Sequence, residues 1–203
     1  MLARSGIGNI TVIDADNVAV SNINRQLIAD FNTVGLSKVR LFADRFKAIN
    51  PDINVTAIQD YITPDNIGEL LSPGFDYVVD AIDTVAPKVA LIEHCLRHKI
   101  PVISSMGAGG RTDPTKVEYM DINATRDDGL ARVVRQRLRK DGFRHGLKVV
   151  ASREVPHRNA ITPLEELNKK SSFGTLATIP AIFGIMLAAQ VIDKLSQHDS
   201  TKA

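Results

Sequence analysis

The chain has 203 residues, 44% of them hydrophobic and 24% charged, which is enough for one domain with a sizeable core. A net charge of +2 does not by itself indicate nucleic-acid binding, so that function would need a local basic cluster. The single cysteine, Cys95, excludes a disulfide within the chain and a Cys-x-x-Cys zinc site, and it predicts a reducing, cytoplasmic setting.

Short runs of valine and isoleucine alternate with segments of helical periodicity along the chain. Strands are predicted at residues 10–13, 53–58, 77–81, 102–105, 117–121 and 147–152. Helices are predicted at residues 38–49, 64–71, 87–98, 130–140 and 180–195. This order predicts an α/β fold, with a Rossmann-like, mostly parallel sheet and helices on both of its faces. We expect one domain over residues 1–203, in which residues 153–172 form a surface loop.

The stretch from Val12 to Lys38 begins in the first strand and is rich in polar groups after it. Asp14 comes directly after the strand, where a carboxylate can accept hydrogen bonds from ribose hydroxyls. Arg25 and Lys38 come later, where cations can bind phosphate groups. The alternatives are a turn acid and two solvated surface charges. Because a lysine at a helix start opposes the helix dipole, Lys38 favours a bound anion at that end.

The segment YVVDAIDTVAPK places two acids at the end of another strand. Asp83 is suited either to binding Mg²⁺ or to forming the N-cap of the next helix. Asp80 lies within the strand and competes for either role. Cys95, among leucine and isoleucine on the following helix, is interpreted as a buried structural thiol.

Two later segments each allow two interpretations. The glycine-rich segment SSMGAGGRTDPTK, which includes Arg111, predicts either an anion pocket lined by backbone amides or a mobile hairpin turn. Residues 132–148 hold seven Arg or Lys and one Asp. On a helix, Arg132, Arg135 and Arg139 share one face, which predicts either a contact with an RNA backbone or a solvated surface.

Residues 175–192 are 18 positions without a charge, near the lower limit for a membrane span. Pro180 and Gly184 interrupt this stretch, and Asp193 and Lys194 follow it. The pattern therefore favours a core helix over residues 180–196, with Thr178 as its N-cap, over a membrane-spanning helix.

Taken together, the motifs D-x-D, S-N-x-x-R-Q, G-x-x-K and D-A-I-D resemble the ThiF/MoeB-like adenylate-forming superfamily, which is related to ubiquitin-activating enzymes. The segments DAIDTVAPKVALIEHCLRHKIPVISSMGAGGRTDPTK and LARVVRQRLRK resemble the branch of the tRNA threonylcarbamoyladenosine dehydratases. This resemblance covers most of the chain, through about residue 196.

The resemblance implies a nucleotide site for ATP and Mg²⁺. Asp14 would bind the ribose, Arg25 and Lys38 the phosphates, and Asp83 the Mg²⁺ near the reacting α-phosphate, so that the last three are the catalytic candidates. The full implied nucleotide-binding set is Asp14, Ser21, Asn22, Arg25, Gln26, Lys38, Asp83 and Thr84.

The implied reaction is ATP-dependent transfer of AMP to the carboxylate of threonylcarbamoyladenosine in tRNA. The modification's own nitrogen then attacks the acyl-adenylate and closes a ring with net loss of water. The alternatives are an adenylyltransferase for the carboxyl terminus of a ubiquitin-like sulfur-carrier protein, and an inactive remnant. The implied partners are tRNA, bound at the basic helix Arg132–Lys140, a second copy of the chain and a sulfur-transfer protein.

One departure from the family pattern concerns the start of the sequence. The first strand and the glycine-rich turn, which would cradle the triphosphate, are not in these residues. If the chain is matched to the family pattern, Met1 corresponds to a position inside the family's first helix. The expectation is therefore a truncated chain or a misplaced start codon, without the strand that is central in the usual order.

Overall fold

The predicted alternation of strands and helices is present in the computed structural model, which describes residues 1–166 and 169–199. The strands are β1 Asn9–Ile13, β2 Asn54–Ile58, β3 Val78–Asp80, β4 Val102–Ser105, β5 Val117–Asp121, β6 Lys148–Ser152, β7 Ile161–Glu166 and β8 Lys169–Phe173. The helices are α1 Lys38–Ile49, α2 Ile67–Leu70, α3 Val85–Arg97, α4 Gly129–Lys140 and α5 Thr178–Asp199. Six strands and five helices therefore lie where the sequence predicts them.

The chain divides into two compact units. Unit 1 comprises Met1–Ile62 and Val191–Ala203, and unit 2 comprises Thr63–Gln190. The reason lies in the strand pairing: β1 and β2 form one sheet and β3 to β6 another. Within the described residues, no strand is hydrogen-bonded to both sheets.

Unit 1 is built on a parallel strand–helix–strand arrangement. β1 pairs with β2 from Asn9 with Asn54 to Ile13 with Ile58, and α1 packs against both strands. The amide of Asp14 continues the ladder by donating to the carbonyl of Ile58, at 3.2 Å. Because β1 and β2 are parallel, their carboxyl ends lie at the same edge of the sheet. The loop that leaves β1 and leads to the start of α1 lies at that edge.

Unit 2 contains a four-stranded sheet in the order β3-β4-β6-β5, parallel except for β5. Alternate residues of β6 point to opposite faces. Val149 and Ala151 pack with α3 and α4, whereas Val150 packs with α5. The prediction of helices on both faces of a mostly parallel sheet is therefore confirmed for this sheet.

The apolar helix α5 begins at Thr178, two residues before the predicted start, so Thr178 lies inside the helix and Pro180 lies in its first turn. Ile179, Phe183 and Leu187 are buried against the four-stranded sheet, as a core helix requires. By length and composition alone, its Thr178–Gln197 part is also long and apolar enough to cross a membrane.

The prediction of a surface loop over residues 153–172 is wrong for most of that segment. A short 3-10 helix, Arg158–Ala160, leads into the antiparallel hairpin of β7 and β8. Residues 167 and 168 lie outside the described residues. The sequence gives no strand signal here because the segment is polar and carries Pro163, which disfavours a strand.

Candidate active site

The carboxyl end of β1 brings two carboxylates and a lysine together. The Nζ of Lys38 lies 2.7 Å from an oxygen of Asp16 and 3.9 Å from an oxygen of Asp14. The Lys38 side chain is 7% exposed, whereas those of Asp14 and Asp16 are 40% and 58% exposed. The predicted ribose acid and phosphate cation are therefore neighbours, with carboxylate oxygens open to solvent.

The start of α1 explains how Lys38 is held. Lys38 is the first helical residue, and its amide donates to the carbonyl of Asp16, at 3.2 Å. A cation is unfavourable at a helix amino terminus, but the Asp16 carboxylate offsets it. The anion that the sequence favours at this position is thus supplied by the chain itself. Asp16 was not assigned a role from the sequence, although its D-x-D spacing from Asp14 was the available signal.

The turn after β1 is organised by Asn22. Asn22 is 9% exposed, and its Oδ1 accepts a hydrogen bond from the amide of Ala19, at 3.0 Å. Its carbonyl accepts hydrogen bonds from the amides of Arg25 and Gln26, at 3.1 and 2.9 Å. Asn22, which the resemblance places in the nucleotide-binding set, thus holds the turn that carries Arg25.

Arg25 itself is exposed. Its Nη1 donates to the carbonyl of Ser21, at 2.8 Å, and to Oδ1 of Asn24, at 2.9 Å. Unlike the Arg25 guanidinium, the side-chain oxygen Oε1 of Gln26 is buried and has no hydrogen-bond partner among the described residues. The Arg25 guanidinium is thus anchored through one nitrogen to its own turn while its surface stays open to solvent.

In unit 2, Asp83 and Thr84 form the turn between β3 and α3. Asp83 is exposed, and its Oδ1 accepts a hydrogen bond from the hydroxyl of Thr84, at 3.3 Å. Thr84, not Asp83, occupies the N-cap position of α3. The N-cap alternative for Asp83 is therefore wrong, and its carboxylate lies at the carboxyl end of β3.

Asp80 is excluded as a competitor for metal binding. It is fully buried, with one carboxylate oxygen accepting from the amide of Ile82 and the other from the hydroxyl of Ser104. The second oxygen also lies 2.7 Å from Nζ of Lys88, which is fully buried too. Removing one partner of such a pair costs about 3–5 kcal/mol. Lys88 was missed from the sequence, where a lysine on an otherwise apolar helix face was the signal.

The glycine-rich segment after β4 is anchored to the rest of unit 2 through Arg111. Arg111 is 2% exposed, and its guanidinium donates to the carbonyls of Gly107, Asp127 and Glu154. It also lies 3.6 Å from the carboxylate of Asp128. Burial lowers the pKa of Arg111, although the nearby carboxylates of Asp128, Glu154 and Asp127 partly offset this effect. Arg111 therefore holds the segment in place and is not available to a ligand.

Glu154 completes this anchor. Its carboxylate accepts hydrogen bonds from the amide and hydroxyl of Thr112 and from the amide of Asp113, at 2.8 to 3.1 Å. Burial alone raises the pKa of Glu154, but these hydrogen bonds and the nearby His157 lower it below its ordinary value. Neither Glu154 nor its pairing with this segment was predicted.

The basic helix α4 has two kinds of arginine. The half-buried Arg135 donates to the carbonyls of Ile122 and Thr125, at 3.1 and 3.2 Å, whereas Arg132 is exposed. Arg139 is exposed but donates to Oδ1 of Asn123, at 2.6 Å. Burial lowers the pKa of Arg135, and the neighbouring positive charges lower it further. The predicted arginine face therefore exists, but part of it fastens α4 to the 3-10 helix Ile122–Ala124.

The described side chains could hold a metal ion only if other ligands, such as phosphate oxygens and water, complete its coordination. Where the structure describes side chains, no three His, Cys, Asp or Glu residues cluster as a metal site. Mg²⁺ commonly needs only one or two protein carboxylates, since phosphate oxygens and water complete its shell. The single exposed carboxylate of Asp83 fits that pattern.

Comparison with known proteins gives concordant matches. The ThiF family model matches residues 1–203. The tRNA threonylcarbamoyladenosine dehydratase of Escherichia coli K12 is 40% identical over 212 residues, covering 96% of this chain and 79% of that protein. The protein of the same name from Haemophilus influenzae is 41% identical, covering 98% and 80%. The crystal structure of the Escherichia coli protein in complex with ATP matches with a TM-score of 0.88 and 37% identity, covering 100% of this chain and 81% of that one.

Proposed function

The chain belongs to the ThiF family, and on that premise we propose that it dehydrates threonylcarbamoyladenosine in tRNA to a cyclic form, using ATP to adenylate the carboxylate. The observation that carries this proposal is the identity of about 40% to the tRNA threonylcarbamoyladenosine dehydratases over nearly the whole chain. The match to a relative crystallised with ATP supports the use of ATP.

The chemistry proceeds in two balanced steps. A carboxylate oxygen of the threonylcarbamoyl group attacks the α-phosphate of ATP, which forms an acyl-adenylate and releases pyrophosphate. The nitrogen that links the carbamoyl carbon to the adenine ring then attacks the acyl carbon and loses its proton, and the carbon–oxygen bond to AMP breaks. The carboxylate oxygen leaves in AMP, so the net change in the tRNA is loss of water. Both steps depend mainly on positioning and charge neutralisation.

In unit 1 we propose that Asp14 accepts hydrogen bonds from the ribose hydroxyls while Lys38 and Arg25 bind phosphate oxygens. The proximity of Lys38 to Asp14 supports this assignment, since both groups would then contact one nucleotide. Ser21, Asn22 and Gln26 support the turn that carries Arg25, as its backbone hydrogen bonds indicate.

In unit 2 we propose that Asp83 holds Mg²⁺, with Thr84 beside it. The metal would neutralise charge on the phosphates during transfer of AMP. The exposed position of Asp83 at the carboxyl end of β3 and the full engagement of Asp80 support this choice between the two acids.

The tRNA contact is proposed to lie on α4, where the exposed Arg132, Arg137, Arg139 and Lys140 concentrate positive charge. Phosphate contacts from such residues supply most of the sequence-independent affinity for a nucleic acid. Because the net charge of the chain is only +2, nucleic-acid binding needs a local basic cluster, and α4 supplies one.

The proposed assembly is a homodimer in the cytoplasm. Exposed apolar side chains in unit 1 support self-association, namely Val20, Leu27 and Phe31, which are 63%, 72% and 83% exposed. A sulfur-transfer protein remains a further proposed partner on the family resemblance alone. Light scattering after size exclusion, at several protein concentrations, tests the homodimer.

A second candidate is adenylation of a sulfur-carrier protein, which shares the first step. The molybdopterin-synthase adenylyltransferase of Escherichia coli is 32% identical, but over only 59% of this chain. Exchange of labelled pyrophosphate into ATP separates the two. Stimulation by tRNA that bears the threonylcarbamoyl group, but not by the unmodified tRNA, supports the proposal. Stimulation by a carrier protein ending in a flexible carboxylate, but not by tRNA, would replace it.

A further inference from the structure

Three fully buried polar side chains meet where β3 and β4 end. Asp80 and Ser104 are register partners on the two strands, and Lys88 reaches them from the first turns of α3. All three are 0% exposed. The Asp80 carboxylate receives both the Ser104 hydroxyl and the Lys88 ammonium. We call this group the Asp80–Lys88–Ser104 cluster.

Two members of the cluster, Asp80 and Lys88, form hydrogen bonds with the backbone of Ile82. The amide of Ile82 donates to Oδ1 of Asp80, at 3.0 Å, and its carbonyl accepts from Nζ of Lys88, at 2.8 Å. Both backbone polar groups of Ile82 are therefore bound by buried side chains. The carbonyl of Ile82 and the amide of Asp83 belong to the same rigid peptide plane, so fixing the carbonyl fixes the chain where Asp83 begins.

The turn does not need buried charged side chains in order to satisfy its backbone hydrogen bonds. Residues 81–84 lie outside helix and strand, and a solvated turn could leave the Ile82 carbonyl to water. Instead, the chain buries a lysine and an aspartate, whose desolvation is unfavourable unless every hydrogen bond is made. A buried and fully connected network of this kind holds one backbone geometry rigidly.

We propose that Lys88 is a positioning residue, which acts with Asp80 and Ser104 through the Ile82 peptide to hold the Asp83 carboxylate in place for the metal-bound nucleotide. The inference rests on the metal role of Asp83 proposed above. Groups that orient a metal ligand commonly change metal affinity by about 10- to 100-fold when they are removed.

The test measures binding by calorimetry, with ATP titrated into the full chain once in excess Mg²⁺ and once in EDTA. The ratio of the two affinities isolates what the metal contributes. Asp83→Asn serves as the reference for loss of the carboxylate. Lys88→Met with Asp80→Asn removes both buried charges together, so that no unpaired charge remains to unfold the chain. Ser104→Ala is the milder variant, and Lys116→Met, at a half-exposed lysine, is the matched control.

The expected result is that the double variant lowers the affinity for ATP in Mg²⁺ by about tenfold. Its affinity in EDTA should stay unchanged, Ser104→Ala should show a smaller loss of the same kind, and Lys116→Met should show none. Adding Asp83→Asn to the double variant should cause no further loss, because both act on the same carboxylate.

Three other outcomes overturn the inference in distinguishable ways. If Asp83→Asn removes the Mg²⁺ contribution and the cluster variants do not, the positioning role is wrong while the proposed metal site stands. A loss by the cluster variants that is equal in Mg²⁺ and EDTA, or additive with Asp83→Asn, likewise means that the cluster only supports the fold. If Asp83→Asn itself leaves the Mg²⁺ contribution intact, the metal role fails, and the positioning role fails with it.

Discussion

Lys38 lies 2.7 Å from the carboxylate of Asp16 and 3.9 Å from that of Asp14, although the three residues are spread over 25 positions of the sequence. The pairing joins the two ends of the polar stretch that follows β1. It places the proposed phosphate cation and the proposed ribose acid at one edge of a two-stranded sheet. A nucleotide bound there would exchange part of this carboxylate pairing for contacts with its phosphates.

Replacing Lys38 by methionine is expected to weaken ATP binding by about tenfold or more, because a charge-assisted contact to phosphate is lost. The free energy of unfolding should change by less than about 1 kcal/mol, since the carboxylate partners are exposed to water. Calorimetry and urea denaturation measure the two effects. Lys47→Met, at an exposed position in the last turn of α1, is the control. Equal ATP affinity in the two variants would remove Lys38 from the site.

Two arginines on α4 should separate in their effects. Arg132→Ala is expected to lower the affinity for tRNA and to reduce the slope of log affinity against log salt by about 1, with unchanged stability. Arg135→Ala should instead lower the free energy of unfolding by about 1–3 kcal/mol, because it removes the donor to the carbonyls of Ile122 and Thr125. Filter binding across a salt series and urea denaturation check both. An unchanged salt slope for Arg132→Ala would take α4 out of the interface.

Glu154 should contribute stability that depends on pH. Its pKa is lowered in the folded state by hydrogen bonds from Thr112 and Asp113, so its contribution is full above the unfolded pKa of about 4.3. That contribution is lost as the pH falls through the lower, folded-state pKa. Urea denaturation should therefore show Glu154→Gln to be less stable than the parent chain at pH 7, with the difference shrinking below about pH 4. Glu69→Gln, at an exposed site, is the control. A difference that stays constant from pH 7 to pH 3 would contradict this.

Cys95 should be inert in the folded chain. It is fully buried, and burial raises its pKa to about 12, so the reactive thiolate is scarce at neutral pH. A thiol reagent at pH 8 is expected to modify the chain only after denaturant is added. Modification of the native chain at the rate seen in denaturant would show that this part of α3 opens.

The sequence predicts the strands and helices well because their signals are local. The apolar runs that became β4 and β5 and the periodic segment that became α1 have the predicted bounds. The ionic partners could not be predicted in the same way. In the sequence Asp80 competes with Asp83 and Lys88 is a lysine on an apolar helix face, but only the packing of α3 on β3 and β4 shows that the two pair in the core.

The glycine-rich segment shows the same limit. Its glycines suggested either an open pocket or a mobile turn, but Arg111 is anchored by Glu154, which lies 43 positions away. The predicted arginine face on α4 was correct in its helical geometry. Which of its members bind the chain's own carbonyls depends on the 3-10 helix Ile122–Ala124, and no periodicity in the sequence reports that contact.

The central claim is that the carboxylate of the modified tRNA is adenylated before the ring closes. The most direct measurement uses tRNA in which both oxygens of the threonylcarbamoyl carboxylate are ¹⁸O, incubated with the chain, ATP and Mg²⁺. Mass spectrometry of the AMP should find one ¹⁸O atom for each ring formed, and Asp83→Asn should yield neither the ring nor labelled AMP. Ring closure with the label recovered in water or phosphate, or formation of AMP without any ring, would contradict the account.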